Sequence, residues 1–374
     1  MATVADIRSA LERIAPSRYA EEWDNVGLQV GAAQDPVLRV MVALEMSTDV
    51  LAEAAATKAQ LVVTHHPLLF RPRSTYEIVD PVSRLMAELV RRRIALLAAH
   101  TNLDSVRGGT NEELADRLGL APERRFLRPI DAQADALKFA VFVPATHLDA
   151  VTEAIAAAGA GVIGKYTHCT FRSPGTGTYK PGLGANPFTG VAGRLEQAAE
   201  LRVEALCPKP LAGALVAAVR AAHPYEEMAF DFFELAPDPV PRAGLGLVGA
   251  LPREATLAAF AKKVKRALGI DSIGVVGEPD RVVRTVSLCT GSGGEFVRNG
   301  EVGGADVFVT GEMSHHDCWE AMERGIAVLL VGHFASEAIV CERLRRALGA
   351  ELHGAGFEVE VGVAALQPNP LRRL

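Results

Sequence analysis

QLVVTHHPLLF, residues 60–70, runs from a block of apolar and β-branched residues straight into His65, His66 and Pro67. Leu61 to Thr64 read as a strand buried on both faces. Pro67 cannot donate to a ladder and stops that strand, which puts the two histidines at its C-terminal end. Open α/β sheets bind their ligands at that end. Working outward, LRVMVALEMS (38–47) reads as the preceding strand and TDVLAEAAATKA (48–59) as the helix between the two. DPVSRLMAELVRRR (80–93) is a further helix and IALLAAH (94–100) the next strand. TNEELADRLGL (110–120) is a helix entered through a Thr110/Glu113 capping box and closed by Gly119. Residues 3–15 give one more amphipathic helix, entered at Thr3 and ended by Pro16. Strand, helix, strand is the parallel-sheet unit, so the fold class is α/β.

The last third of the chain repeats this plan. VVRTVSLCTGSGG (282–294) mirrors LRVMVALEMS, and ADVFVTGEMSHHD (305–317) stands where QLVVTHHPLLF stood. ERGIAVLLVGHFASE (323–337) matches RRRIALLAAHTNLD (91–104). Each half places a histidine at the end of its third strand with an acid four residues on: His100 and Asp104, His333 and Glu337. The expectation is two similar α/β lobes whose strand ends face one another, residues 1–125 and 241–374. Between them, residues 126–240 differ in texture. KFAVFVPATHLDAVTEAIAAAGA (138–160) and VEALCPKPLAGALVAAVRAAHPYEEMAFDFFEL (203–235) each read as strand then helix, the second with a further strand. A βαββαβ, ferredoxin-like module is expected there, leaving through the Pro-rich stretch APDPVPRAG (236–244).

Composition narrows the function. The chain has 374 residues, 49% hydrophobic and 22% charged, enough for two or three domains with proper cores. Its formal charge of −6, with no basic run longer than Arg91-Arg92-Arg93, argues against a nucleic-acid binder. No basic start with an apolar run and no long apolar stretch occurs, so neither a signal peptide nor a membrane span is expected, and the location is read as cytoplasmic. Five scattered cysteines without a Cys-x-x-Cys pair fit a reducing compartment and read as core residues.

The ten histidines carry the chemistry. Neighbouring side chains on a strand point to opposite faces, so paired histidines at a strand end serve two ions more easily than one. His333 and Glu337, spaced i, i+4, share a face if a helix begins there, and a carboxylate so placed can bridge two cations. Three imidazoles and two carboxylates, with Asp104 the second acid, suit Zn²⁺, Fe²⁺ or Mn²⁺ but not Ca²⁺. Singly, each has a plainer reading: Asp104 as an N-cap or Asx turn, Glu337 as a helix-dipole acid. His147, His168 and His353 read as surface or satisfied core residues. The glycines of TGSGG (290–294) read as a turn that can line a pocket.

EEWDNVGLQVG (21–31), LVVTHHPLLF (61–70), HTNLDSVRGGTNEELADRLGL (100–120), DVFVTGEMSHHD (306–317) and VGHFASE (331–337) together resemble the dinuclear metal-centre family related to the NGG-interacting factor, whose members are also called GTP cyclohydrolase I type 2 homologues. GVIGKYTHCTFRSPGTGTYKP (161–181) with HPYEEMAFDFFEL (223–235) is similar to the middle domain of its longer bacterial members. The resemblance implies two divalent ions, zinc first and iron or manganese as alternatives, held by His65, His66, Asp104, His333 and a bridging Glu337. It implies a ring-shaped homohexamer with Trp23, Asp24, Asn25, His315 and His316 around an internal cavity. His100 lies near the metals without ligating them. Glu45 in ALEMS stands where the family commonly has Asp.

Hydrolytic opening of the GTP imidazole ring is the activity so implied, with His100, His315 and His316 as proton carriers. Two other readings use the same residues: a non-catalytic metal-binding or regulatory scaffold that recruits partners through the inserted module, and a metal-dependent phosphoester or amide hydrolase. A small-molecule substrate, with GTP as the candidate, is expected in place of nucleic acid or membrane.

Overall fold

A computed structural model describes residues 1–130, 136–164, 166–235 and 241–371. The chain is mixed α/β and divides into two compact units, one made of residues 1–131 with 241–374, the other of 132–240. The expected Pro-rich exit, 236–244, lies outside the described residues up to 240.

Among the described residues the first unit holds one two-stranded pair and two large sheets. In one, β4 (Arg39–Ala43), β5 (Leu61–Thr64) and β6 (Ala95–Ala98) run parallel, and β2 (Gly27–Val30) closes the edge antiparallel to β6. Period-2 alternation divides these strands between two cores. Val40, Val42, Leu61, Val63 and Leu97 meet α1 (Val4–Ile14), while Met41, Val62 and Leu96 meet α2 (Thr48–Ala56) and α3 (Pro81–Arg92) on the other face. α1 is entered through a capping box between Thr3 and Asp6, and the short strands β1 (Ala2–Thr3) and β3 (Pro36–Val37) pair beside it. α4 (Thr101–Asp104) follows β6 directly, and α5 (Thr110–Leu118) comes next. Gly109, not Thr110, caps α5: Thr110 is its first helical residue and makes no capping bond, because its hydroxyl turns to Asp104.

β7 (Arg125–Pro129) then joins the other sheet. There β14 (Val282–Ser292), β15 (Val307–Glu312) and β16 (Ala327–Leu330) run parallel in the same sequential order as β4, β5 and β6. β13 (Gly274–Val276) borders β16, and β12 (Gly244–Thr256) lies between β14 and β7. Thr64 pairs with Ala98 at the end of the first parallel set, and Thr310 pairs with Leu330 at the end of the second. α8 (Leu257–Leu268) covers one face, and α9 (Gly294–Arg298) with α10 (His315–Glu323) contributes to the core on the other.

Each sequence half ends inside the other half's sheet. Leu114 and Leu118 of α5 pack with Phe260 and Val264 of α8, so α5 and β7 belong to the second sheet although they precede residue 130. In return, after α11 (His333–Glu337), α12 (Val340–Gly354) buries Val340, Leu344, Leu348 and Leu352 against α1 and β4. β17 (Glu360–Val363) pairs in parallel with β4. Burying four such side chains stabilises by about 2 kcal/mol each, so the exchange is a substantial link between the halves. Neither lobe expected from the sequence, 1–125 or 241–374, therefore coincides with one sheet.

The second unit has one antiparallel sheet of β8 (Ala136–Val143), β9 (Thr170–Tyr179), β10 (Glu196–Pro208) and β11 (Phe230–Glu234). Across the sheet the order is β11-β8-β10-β9. α6 (Leu148–Ala157) follows its first strand and α7 (Ala212–Ala222) its third, and both bury their apolar residues on Phe139, Val141 and Val203.

Candidate metal centre

Four imidazoles meet where β5, β6 and β16 end. His65 and His66 follow β5, His100 caps α4, and His333 opens α11. The rings of His65, His66 and His100 lie 5.0 to 5.4 Å apart, and His66 is 5.3 Å from His333. Each of the four has its Nδ1 against an oxygen: His65 on the Ala99 carbonyl at 2.9 Å, His66 on Glu45 at 3.2 Å, His100 on Asp24 at 2.9 Å and His333 on Glu312 at 3.0 Å. An acceptor on Nδ1 fixes the ring orientation and turns Nε2 inward, the usual support for a metal-ligating histidine.

The Nε2 atoms of His66 and His333 lie 3.0 and 2.9 Å from Glu337 Oε2. That of His65 lies 3.6 Å from Asp104 Oδ1 and 3.9 Å from Glu337 Oε1. Ligand atoms ~2.1 Å from a tetrahedral ion are roughly 3.4 Å apart, so this spacing brackets what one ion requires. His65 is 1% exposed, and its Nε2 has no hydrogen-bond partner. With its Nδ1–H spent on a carbonyl, His65 turns a lone pair towards two carboxylates, and a buried arrangement of acceptor against acceptor calls for a cation between them. The donor set of imidazole nitrogens and carboxylate oxygens fits a divalent transition ion. Among the described residues two groups could hold an ion: His65 with His66 and His100, and His66 with His333 and Glu337.

The electrostatics follow from burial and these acids. Burial lowers His65 to about 3 and keeps it neutral. Burial opposes charge on His66, but Glu337 and Glu45 outweigh it and raise it to about 10. Glu337 likewise raises His333, to about 9. Burial and the nearby Glu337 charge push Asp104 up to about 7, whereas Glu337, buried yet flanked by His333 and His66, is held below the usual carboxylate range.

Local chemistry positions the acids. α11 carries His333 and Glu337 on one face, as the i, i+4 spacing predicts. Gly291, at φ +65°, leaves room for Glu337: a Cβ there would come within 2.3 Å of Oε1. The TGSGG turn thus shapes the site. Thr290 Oγ1 donates to Thr110 Oγ1 at 3.2 Å, and Thr110 donates in turn to Asp104, tying β14 to α5 beside the centre. Of the wider set, Trp23 lines the cleft, Asp24 holds His100, and Asn25 donates to the Leu69 carbonyl. His315 and His316 are not brought to the other histidines: both are exposed in the first turn of α10 and neither is among the residues lining the cleft. Glu312, Thr110 and Thr290 were not marked by the sequence; an acid two residues beyond Thr310, at a strand end that carries a site, was the available signal for Glu312.

The centre opens into a cleft of about 1040 Å³. A family model, Duf34/NIF3 (NGG1p interacting factor 3), matches residues 2–370. The chain belongs to the Duf34/NIF3 family. Among its curated relatives, a Bacillus subtilis protein named GTP cyclohydrolase 1 type 2 homolog is 39% identical over 360 residues, 96% of this chain and 95% of that one. A Mycobacterium tuberculosis protein of the same name is 37% identical over 368 residues, covering 98% of this chain and 96% of its own. The crystal structure of a Bacillus cereus protein related to NIF3 superposes with a TM-score of 0.80 at 35% identity, over 100% of this chain and 99% of that one. Among the described residues of this family member, no helix is long and apolar enough to cross a membrane.

Proposed function

We propose that this Duf34/NIF3 protein is a metal-dependent hydrolase built on a pair of divalent ions, of the kind its relatives' name suggests: opening of a guanine imidazole ring, as in GTP. The observation that carries the reading is the convergence of inward-turned, orphaned or carboxylate-facing Nε2 atoms on Glu337. His65, His66, Asp104, His333 and a bridging Glu337 would hold the ions, zinc first and iron or manganese as alternatives. Ions so held supply Lewis acidity and lower the pKa of water towards neutrality. The chain's residues do the rest. Asp24, Glu45 and Glu312 fix the tautomers, Gly291 leaves room for the Glu337 carboxylate, and Gly311 lets β15 approach Gly291 and His333 closely. His100, on the cleft wall with Asp24 behind it, is placed to move a proton, a role that the exposed His315 and His316 lack the position to share within one chain.

The finer architecture belongs to the same proposal. The matching order of β4-β5-β6 and β14-β15-β16 supports a duplicated lobe, and the order β11-β8-β10-β9 with two helices supports a ferredoxin-like insert. Resemblance adds a cytoplasmic homohexamer, which light scattering of a stable monomer would overturn.

The deciding experiment measures formate released from guanosine and from GTP by the metal-reloaded protein, with Asp104→Ala as control. Formate lost in the variant is the expected result. No formate from either compound, with two ions per chain in the sample, removes ring opening.

A further inference from the structure

Beside the centre the cleft has an aromatic wall. Trp23 and Phe70 lie 5.8 Å apart, edge to face, and each is about 6 Å from the His100 ring at 6.1 and 6.0 Å. An indole 58% exposed and a phenyl ring 39% exposed are not filling a core. Exposed aromatic side chains on the wall of a polar cleft offer surface on which a planar ring system can stack.

The charge around them selects which ring system. Beyond the candidate ligands, the wall brings Glu21, Glu45, Asp271, Glu295 and Glu312 to the cleft. Arg128 is the one arginine or lysine among the described lining residues, and its guanidinium is spent on Glu295 at 2.8 Å and Glu301 at 2.5 Å. Asp104, Glu337, Glu45 and Glu312 already balance two dications. A triphosphate entering here meets carboxylates without a free cation, which opposes binding.

We infer that Trp23 and Phe70 form a platform for a flat, uncharged aromatic heterocycle, a nucleobase or nucleoside instead of its phosphorylated form, presented to the candidate metal centre. The inference rests on the hydrolytic reading above and narrows its substrate class. It makes Trp23 and Phe70 specificity-determining residues and leaves the ion ligands untouched.

The test uses the full chain reloaded with zinc. The sequence has two tryptophans, so Trp319→Phe, a change on the exposed face of α10, leaves Trp23 as the sole tryptophan, read by selective excitation of indole. Titration with guanosine is expected to quench it saturably, with GTP at least about tenfold weaker. Calorimetry should show Trp23→Ala and Phe70→Ala losing about tenfold in guanosine affinity while Trp23→Phe retains it. GTP binding as tightly as guanosine, no saturable response to guanosine at millimolar concentration, or unchanged affinity in Trp23→Ala would each overturn the inference. Zinc content, read on the same samples, separates the two proposals: full zinc without guanosine binding removes only the platform, whereas no zinc uptake removes the centre itself.

Discussion

His100 with Asp104, and His333 with Glu337, are the same device built twice: a histidine after a third parallel strand, an acid four residues on, a one-turn helix between, and a second acid on Nδ1. They differ in two ways. Glu337 is one methylene longer than Asp104, and its Oε2 lies within 3.0 Å of two imidazoles, whereas Asp104 faces His65 alone at 3.6 Å. Asp24, behind His100, has a fully buried side chain, whereas Glu312, behind His333, is 58% exposed. The acid behind His100 is thus tied into the fold, whereas the one behind His333 stands open to the cleft. Two matching strand ends thus acquire different surroundings through small changes in side-chain length and burial.

Shortening the bridge tests this most severely. Glu337→Asp is expected to cost more than about a hundredfold in metal affinity, because the carboxylate no longer reaches His66 and His333 together. Metal titration monitored by calorimetry reads this; if Glu337→Asp keeps both ions, the contrast with Asp104 is empty.

The second acids separate next. Asp24, against His100 and Thr101, is held down to about 2 although burial opposes it. Its unfolded value is about 3.9, so it contributes about 2 kcal/mol that is fully present above that value and lost as pH falls towards 2. Urea melts of Asp24→Asn should show the loss at pH 7 and a narrowing gap to wild type at pH 3. Glu312→Gln should leave those melts alone and weaken metal binding about tenfold.

Proton competition gives a smaller and graded effect. His66 and His333 are raised to about 10 and 9, and both must surrender an Nε2 proton to an ion. Metal affinity should therefore climb as pH rises from 6 to 8, with protons released on binding; a flat profile would mean that neither Nε2 is a ligand. Thr110→Val, which removes the hydroxyl from Asp104, should cost about 1 kcal/mol in stability and only a few-fold in affinity.

Much of this was legible in the sequence. Buried parallel strands announce themselves as apolar runs, and Thr-His-His-Pro marks a strand end, so the sequence singles out His65, His66, His333 and Glu337 as side chains that come together, with Asp104 beside His65. The i, i+4 pair on α11 followed from helix geometry alone. What sequence hides is partnership over long separations. Nothing local ties Asp24 to His100 or Thr290 to Thr110. The Thr110 capping box failed because Thr110 lies inside the helix, where its hydroxyl donates to Asp104 and accepts from Thr290 instead of accepting from a helix N–H. His315 and His316 matched His65 and His66 by eye, but the intervening Gly311–Ser314 carries them past the strand end into a helix, away from the cleft.

The crossed endings of the two halves have a consequence for how the molecule assembles. A first half made alone would lack β17 and α12 to finish its sheet, and a second half alone would lack β7 and α5. Folding must therefore wait for pairings between residues some three hundred positions apart, such as Val40 with Val361. During synthesis β4 remains an open edge of the first sheet until residues 360–363 have emerged, and the candidate centre is completed only once His333 and Glu337 have joined the strand ends of the first half.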